Sequence, residues 1–271
     1  MRSRGIRGPG VVGLMVLMLA GAVVPAVLAA DDPNGRLDYH WGRRTDGELK
    51  LRIGENLDGE WERYLRTSVN EWEDSKVTEL RIVNGTTNPK NCEQNRGQVE
   101  VCNDEYGVNG WLGLTTIYYD KSDREHITGV RIKLNDSYFE SRDEDSLYDG
   151  KEGRKARRHT MCHELGHAFG LGHTNDNSCM NDSNEAVFEN LDPEQSDFRT
   201  LRDIYRHGDR KRDSTVAGNS RMIGDEAVGD IGSFDVEQTP MTDTAFGSRE
   251  TRTLEELPDG RLAVTYTTWA E

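Results

Sequence analysis

The chain has 271 residues, 34% of them hydrophobic and 31% charged, with a formal net charge of −15. This length allows one large or two small domains, and the low apolar share implies that part of the chain packs poorly. A surface this acidic, with no basic patch to offset it, repels nucleic acid and anionic lipid and excludes both as partners.

The first thirty residues stand apart. Arg2, Arg4 and Arg7 form a positive start, and an apolar run from Val11 to Leu28 follows, broken by glycine and Pro25. Val27-Leu28-Ala29, with Ala30 as the alternative, supplies the small residues of a cleavage point. Residues 1–30 therefore read as a secretory signal peptide. The competing reading is an uncleaved anchor helix, since the run is near spanning length; Pro25 and the small residues favour removal. There is no arginine pair for a twin-arginine route. Losing three arginines and no acid takes the charge from −15 to −18. Such acidity suits solubility outside the cell. It also leaves calcium open as a second cofactor, without an assigned ligand, because no EF-hand pattern is present. Four cysteines in an exported chain suggest two disulfides among three pairings.

Residues 31–45 are polar with Pro and Gly, and are expected to be a flexible mature N-terminus, too short for an inhibitory prodomain. Leu49, Leu51 and Ile53 alternate, predicting a strand over Glu48–Ile53. Trp61, Tyr64, Leu65, Val69 and Trp72 recur at three- and four-residue steps, predicting an amphipathic helix over Asp58–Lys76. Strands are expected over Val77–Val83, Gln98–Cys102, Trp111–Tyr119 and His126–Leu134, with a loop over Asn84–Gly97. An acidic loop, Ser141–Gly153, leads to a helix from about Arg154 to Phe169.

That helix carries His163-Glu164-Leu165-Gly166-His167 and runs on to Ala168-Phe169-Gly170-Leu171-Gly172-His173. Residues four apart share a helix face, so His163 and His167 can bind one metal ion. Glu164 points about 100° away from His163, too short and misdirected to be a ligand, yet able to reach a water at the metal. Gly166 removes bulk beside the second histidine. Gly170 can take the left-handed conformation that stops a helix, letting His173 swing in as a third imidazole. Three imidazoles and a water make a zinc site with an open position. His40, His126, His159 and His207 are isolated; His159 is at most an outer neighbour of the site.

This run resembles the extended zinc signature of the metzincin metallopeptidases, and Met180 stands where that clan has its methionine turn. The short spacer from His173 to Met180 is closest to the matrixin-like branch. The resemblance implies one catalytic Zn2+ held by His163, His167 and His173, Glu164 as general base, and Met180 as an apolar floor without a chemical role. It implies an α+β metzincin-like catalytic domain: a twisted mixed sheet, an active-site helix and a C-terminal helix. It also implies that His126–Leu134 is the sheet edge above the cleft, to which substrate adds as an extra strand. Two features depart from the clan. Asn181 and Asp182 follow Met180 where some members have a tyrosine, and no cysteine-switch motif is present.

Among the pairings we favour Cys92–Cys102, closing a hairpin, and Cys162–Cys179, stapling the active-site helix to the methionine turn. The alternative for Cys162 is a buried thiol on the helix's apolar face.

Asp192-Pro193-Glu194-Gln195 reads as a helix start capped by Asp192, with Phe198, Leu201, Ile204 and Tyr205 facing inward. The resemblance spans residues 46–207 and is strongest over 159–182. Residues 208–271 read as a linker-like tail, lacking periodicity over 208–246, with a plausible hairpin over Thr253–Trp269.

The expected function is that of a secreted, monomeric zinc endopeptidase acting on protein or peptide, without nucleic acid or membrane partners once the leader is gone. The leader and the lack of a propeptide suggest a bacterial source. The alternatives are a zinc metallohydrolase of cell-wall or other non-protein amides, and a non-catalytic secreted zinc-binding module.

Overall fold

The computed structural model of the protein describes residues 36–37, 39–42, 48–139, 146–206 and 252–270. The leader expected over 1–30, the linker expected over 208–246, His207 and part of the acidic loop lie outside these residues.

Inward alternation of Leu49, Leu51 and Ile53 builds strand β2 (Leu49–Asn56). The aromatic stripe builds helix α1 (Trp61–Glu73), whose buried residues are Trp61, Tyr64, Leu65, Ser68, Val69 and Trp72. The chain returns as β3 (Thr78–Asn84), parallel to β2, and then enters β4 (Val99–Asp104), parallel to β2's other edge. Next come β5 (Trp111–Asp120) and β6 (Asp123–Asn135), an antiparallel pair in which β6 also lies parallel to β4. Short helix α2 (Asp136–Phe139) precedes the long α3 (Gly150–Ala168), which starts four residues earlier than expected because Asp149 accepts the Gly150 N–H as its cap. Two helices follow, α4 (Ala186–Glu189) and α5 (Gln195–Ile204), and then the strands β7 (Arg252–Glu256) and β8 (Arg261–Trp269).

The result is one twisted, mixed sheet in the order β3-β2-β4-β6-β5-β8-β7, with α3 lying on β5 and β6 and α1 packed against α3. The short strand β1 (His40–Trp41) pairs with the first part of β6. Among the described residues no helix is long and apolar enough to cross a membrane.

Four expectations change. First, β6 is not a sheet edge. It is flanked by β4 and β5, because its Val130, Ile132 and Leu134 are fully buried and both of its backbone edges are paired. Second, part of the segment expected to be flexible is packed. Leu37, Tyr39 and Trp41 are buried, Trp41 donates its indole N–H to Ala168 O at 2.7 Å, and Leu37 N–H bonds Gly170 O at 3.2 Å. Third, the Cys92–Cys102 bridge, with 5.9 Å between Cα atoms, closes no hairpin. It pins the β3–β4 connection onto β4, which has parallel neighbours on both sides. Fourth, α5 is capped by Glu194, not Asp192. Asp192 is drawn away by an ion pair with Arg158, while its carbonyl accepts Cys179 N–H at 2.9 Å.

Candidate metal centre

The site is built where α3 ends and turns back. The last carbonyls of a helix have no partner within it. Here Ala168 O is met by the Trp41 indole, and Phe169 O by the Tyr205 hydroxyl at 2.8 Å. Gly170, at φ +94°, makes the left-handed turn that ends the helix, with its would-be Cβ against the Tyr39 backbone. The chain then returns past His173 to Met180, which is held by Thr174 N–H to Met180 O at 3.0 Å.

The Cys162–Cys179 bridge, 6.0 Å between Cα atoms, ties this return to the helix. From α5, Asp197 accepts the Ser178 hydroxyl at 2.6 Å, and Ser178 Oγ accepts Met180 N–H at 2.9 Å. Met180 is fully buried, and a Cβ at Gly166 would run into its Sδ and into Trp72. Glycine at 166 is therefore what lets the methionine and the helix touch.

The donor atoms of His163, His167 and His173 all lie within 4.8 Å of one another. His163 donates its Nδ1 proton to Cys179 O at 2.7 Å, and His167 donates its own to Leu171 O at 2.8 Å. Both protons are thus committed away from the centre, so each Nε2 presents a lone pair. The two Nε2 atoms face each other at 2.9 Å. Two lone pairs at that distance suit a shared cation bound by nitrogen bonds of about 2 Å. Burial, and then the neighbouring imidazoles, hold His163 and His167 well below the usual histidine range, in the neutral form a metal needs. The donor chemistry therefore fits zinc. His173 Nδ1 lies 3.3 Å from the Asp182 carboxylate, an outer contact of the kind that orients a ligating imidazole.

Glu164 is fully buried on the side towards β5. Its Oε2 accepts the Thr115 hydroxyl at 2.5 Å and its Oε1 the Thr268 hydroxyl at 2.6 Å. Burial pushes its carboxyl up to about 7, with the two hydroxyls pulling the other way. A Cβ at Gly113 would collide with Glu164 Oε1, so the glycine makes room for the carboxylate.

The other histidines among the described residues stay out of the group. His159 is buried one turn back, its Nδ1 bonded to Asn190 O at 2.6 Å and its pKa lowered by burial to about 4. His40 and His126 meet edge to face at 5.1 Å, far along the chain from the motif.

Sequence reasoning missed Thr115, Thr268, Tyr266 and the orienting contact of Asp182. Tyr266 stacks on the His167 ring at 4.3 Å between centroids and lies 5.9 Å from that of His173. Only Asp182 had a signal, as a carboxylate shortly after the third histidine. A threonine on a strand carries none.

No protein-family model matches the chain, and no curated protein matches it. Among solved structures it is similar to archaemetzincin from Archaeoglobus fulgidus, crystallised with malonate. The TM-score is 0.34 at 15% identity, covering 56% of this chain and 99% of that one.

Proposed function

We propose that the protein is an exported zinc endopeptidase of metzincin type. His163, His167 and His173 would hold the ion, and Glu164 would act as general base. The observation that carries this reading is the pair of opposed Nε2 lone pairs at 2.9 Å, beside a third imidazole and a buried carboxylate from the same helix. When bound, zinc supplies Lewis-acid chemistry, polarising a carbonyl and making water acidic near neutral pH.

The chain's own residues do the rest. Glu164 takes a proton from the water that attacks the scissile carbonyl carbon, forming a C–O bond. It then passes that proton to the amine nitrogen as the C–N bond breaks. Thr115, bonded to both the carboxylate and the backbone carbonyl of Glu164, fixes its rotamer. Met180 packs beneath the site. Two disulfides suit an oxidising compartment, which agrees with reading 1–30 as a leader.

The test is cleavage of an unfolded generic protein by the mature, oxidised chain, with bound zinc counted in each sample. The wild type should bind one zinc and cleave. Glu164→Ala should keep the zinc and lose at least a hundredfold in rate, the lower range for a general base. His167→Ala should lose the zinc. A zinc-loaded Glu164→Ala chain with wild-type turnover would sink the base assignment.

A further inference from the structure

The C-terminal hairpin occupies an unexpected place. The antiparallel strand β5 borders the metal centre, and its outer edge is covered along its length by β8, from Trp111 opposite Trp269 to Asp120 opposite Arg261. Alternate residues of a strand share a face. On β8 that face changes character along the strand. Leu262 and Val264 pack in the apolar core, whereas Tyr266 and Thr268 reach the site. Tyr266 lies flat on His167, and its hydroxyl is 2.5 Å from that of Tyr39, anchoring the strand over the centre. Thr268 occupies one oxygen of Glu164. With β8 in place, His163, Glu164 and His167 have no exposed surface. No water reaches the base and no extended peptide can pair with β5.

We propose that the outer edge of β5 is the docking edge for an extended peptide and that β8 is its resident occupant. The intact chain then cleaves only in the fraction of molecules whose β7–β8 hairpin is displaced at a given moment, and is otherwise latent. This rests on the zinc-peptidase reading above. Backbone pairing along a strand edge is the mode by which peptides are bound with little sequence demand. An antiparallel strand of the same chain, laying an aromatic ring on one metal-site histidine and a hydroxyl on the base, satisfies that edge. The hairpin is also separable in principle, because residues 207–251 lie between it and α5.

A removable cross-link tests this in the full chain. Thr116 and Thr265 pair in register with their hydroxyls 2.9 Å apart, and they neighbour Thr115 and Tyr266, so they lie on the face away from Glu164. In Thr116→Cys/Thr265→Cys, the bridge between the introduced thiols pins β8 without touching the site. Two readouts are taken on zinc-loaded protein, oxidised and mildly reduced, with wild type given the same reductant: transfer of zinc to a chelator, and peptide cleavage. Bridging is expected to slow both at least tenfold, with recovery on reduction. In a second full-length variant, Tyr266→Ala/Thr268→Ala, both are expected to rise at least tenfold over wild type.

Zinc transfer and cleavage indifferent to the bridge would overturn the proposal. So would a Tyr266→Ala/Thr268→Ala chain that keeps its zinc but loses cleavage, because β8 would then belong to the working site. Zinc transfer gated by the bridge, with no cleavage by any form, would overturn the peptidase reading while upholding β8 as the cover of the metal centre.

Discussion

Helices α1 and α3 pack against each other, yet they are built on different rules. In α1 the buried residues form one stripe, and the other face holds Glu62, Arg63 and Arg66 in water. In α3 every residue from His159 to Ala168 is buried. A helix buried on one face is stabilised by the apolar area it covers. A helix buried all round must also satisfy each polar side chain it takes inside. His163, Glu164 and His167 do this through Cys179 O, the two threonines and Leu171 O, and His159 through its Nδ1 to Asn190 O, while His159 Nε2 and Thr160 Oγ1 have no hydrogen-bond partner among the described residues. Three of those acceptors lie on the returning chain or on α4's end, and the threonines come from two strands. Stability in α1 is therefore local to its stripe, whereas α3 depends on loops that are held in place by other means.

The largest break in this comparison is at Trp72, an α1 residue that reaches α3. Its ring meets Phe169 and Phe198 edge to face, and its indole N–H reaches Cys162 O at 3.1 Å. Trp72→Ala should cost about 3–5 kcal/mol in denaturant unfolding, as for other large-to-small changes in a core. Trp72→Phe keeps most of the packing and drops one hydrogen bond, so it should cost nearer about 1 kcal/mol. Equal losses in the two variants would mean that the bond, and not the packing, joins the helices.

The two disulfides sharpen the comparison next. Cys162–Cys179 closes a separation of 17 residues and Cys92–Cys102 one of 10. The chain-entropy account gives each about 3 kcal/mol, so replacing either pair by alanine should lower the unfolding midpoint similarly. Their effects on the metal centre should diverge. Cys179 O holds His163, so only Cys162→Ala/Cys179→Ala should weaken zinc binding, by at least tenfold in a competition titration. If Cys92→Ala/Cys102→Ala weakened zinc binding as much, the link from bridge to ligand would be wrong.

The same division explains what could be read in advance. The stripe of α1 and the alternation of β2 and β6 follow from periodicity, because each turns an apolar face to a common core, whereas β5, buried on both faces, was legible only from its aromatic and β-branched composition. The grouping of His163, His167 and His173 was legible because their spacing is dictated by one helix turn and a glycine stop. Thr115 and Thr268 were not legible, since a strand threonine meets a carboxylate only once β5 and β8 have been brought beside α3. The position of β6 was misjudged for a related reason. Alternation shows which face of a strand is inward, but not whether its edges are paired, and β6 is enclosed on both edges by β4 and β5. Asp192 failed as a cap because an ion pair with Arg158, on another helix, outweighs a local motif.

The smallest expected effect sits at the rim of the site, where α3's dependence on returning loops meets water. Asp182 approaches His173 Nδ1 at 3.3 Å, but its side chain is 40% exposed. Partners of this kind raise metal affinity 10- to 100-fold by fixing the imidazole's orientation and basicity. Water competes for an exposed carboxylate and screens its charge, so Asp182→Asn should fall at the low end, about tenfold in zinc affinity at low salt. Because the screening already present in water grows with ionic strength, the gap between wild type and Asp182→Asn should narrow as salt is raised. A gap independent of salt would show that Asp182 acts through the geometry of its contact and not through its charge. The exposed rim would then follow the same rule as the buried partners of His163 and His167, where position alone sets the tautomer.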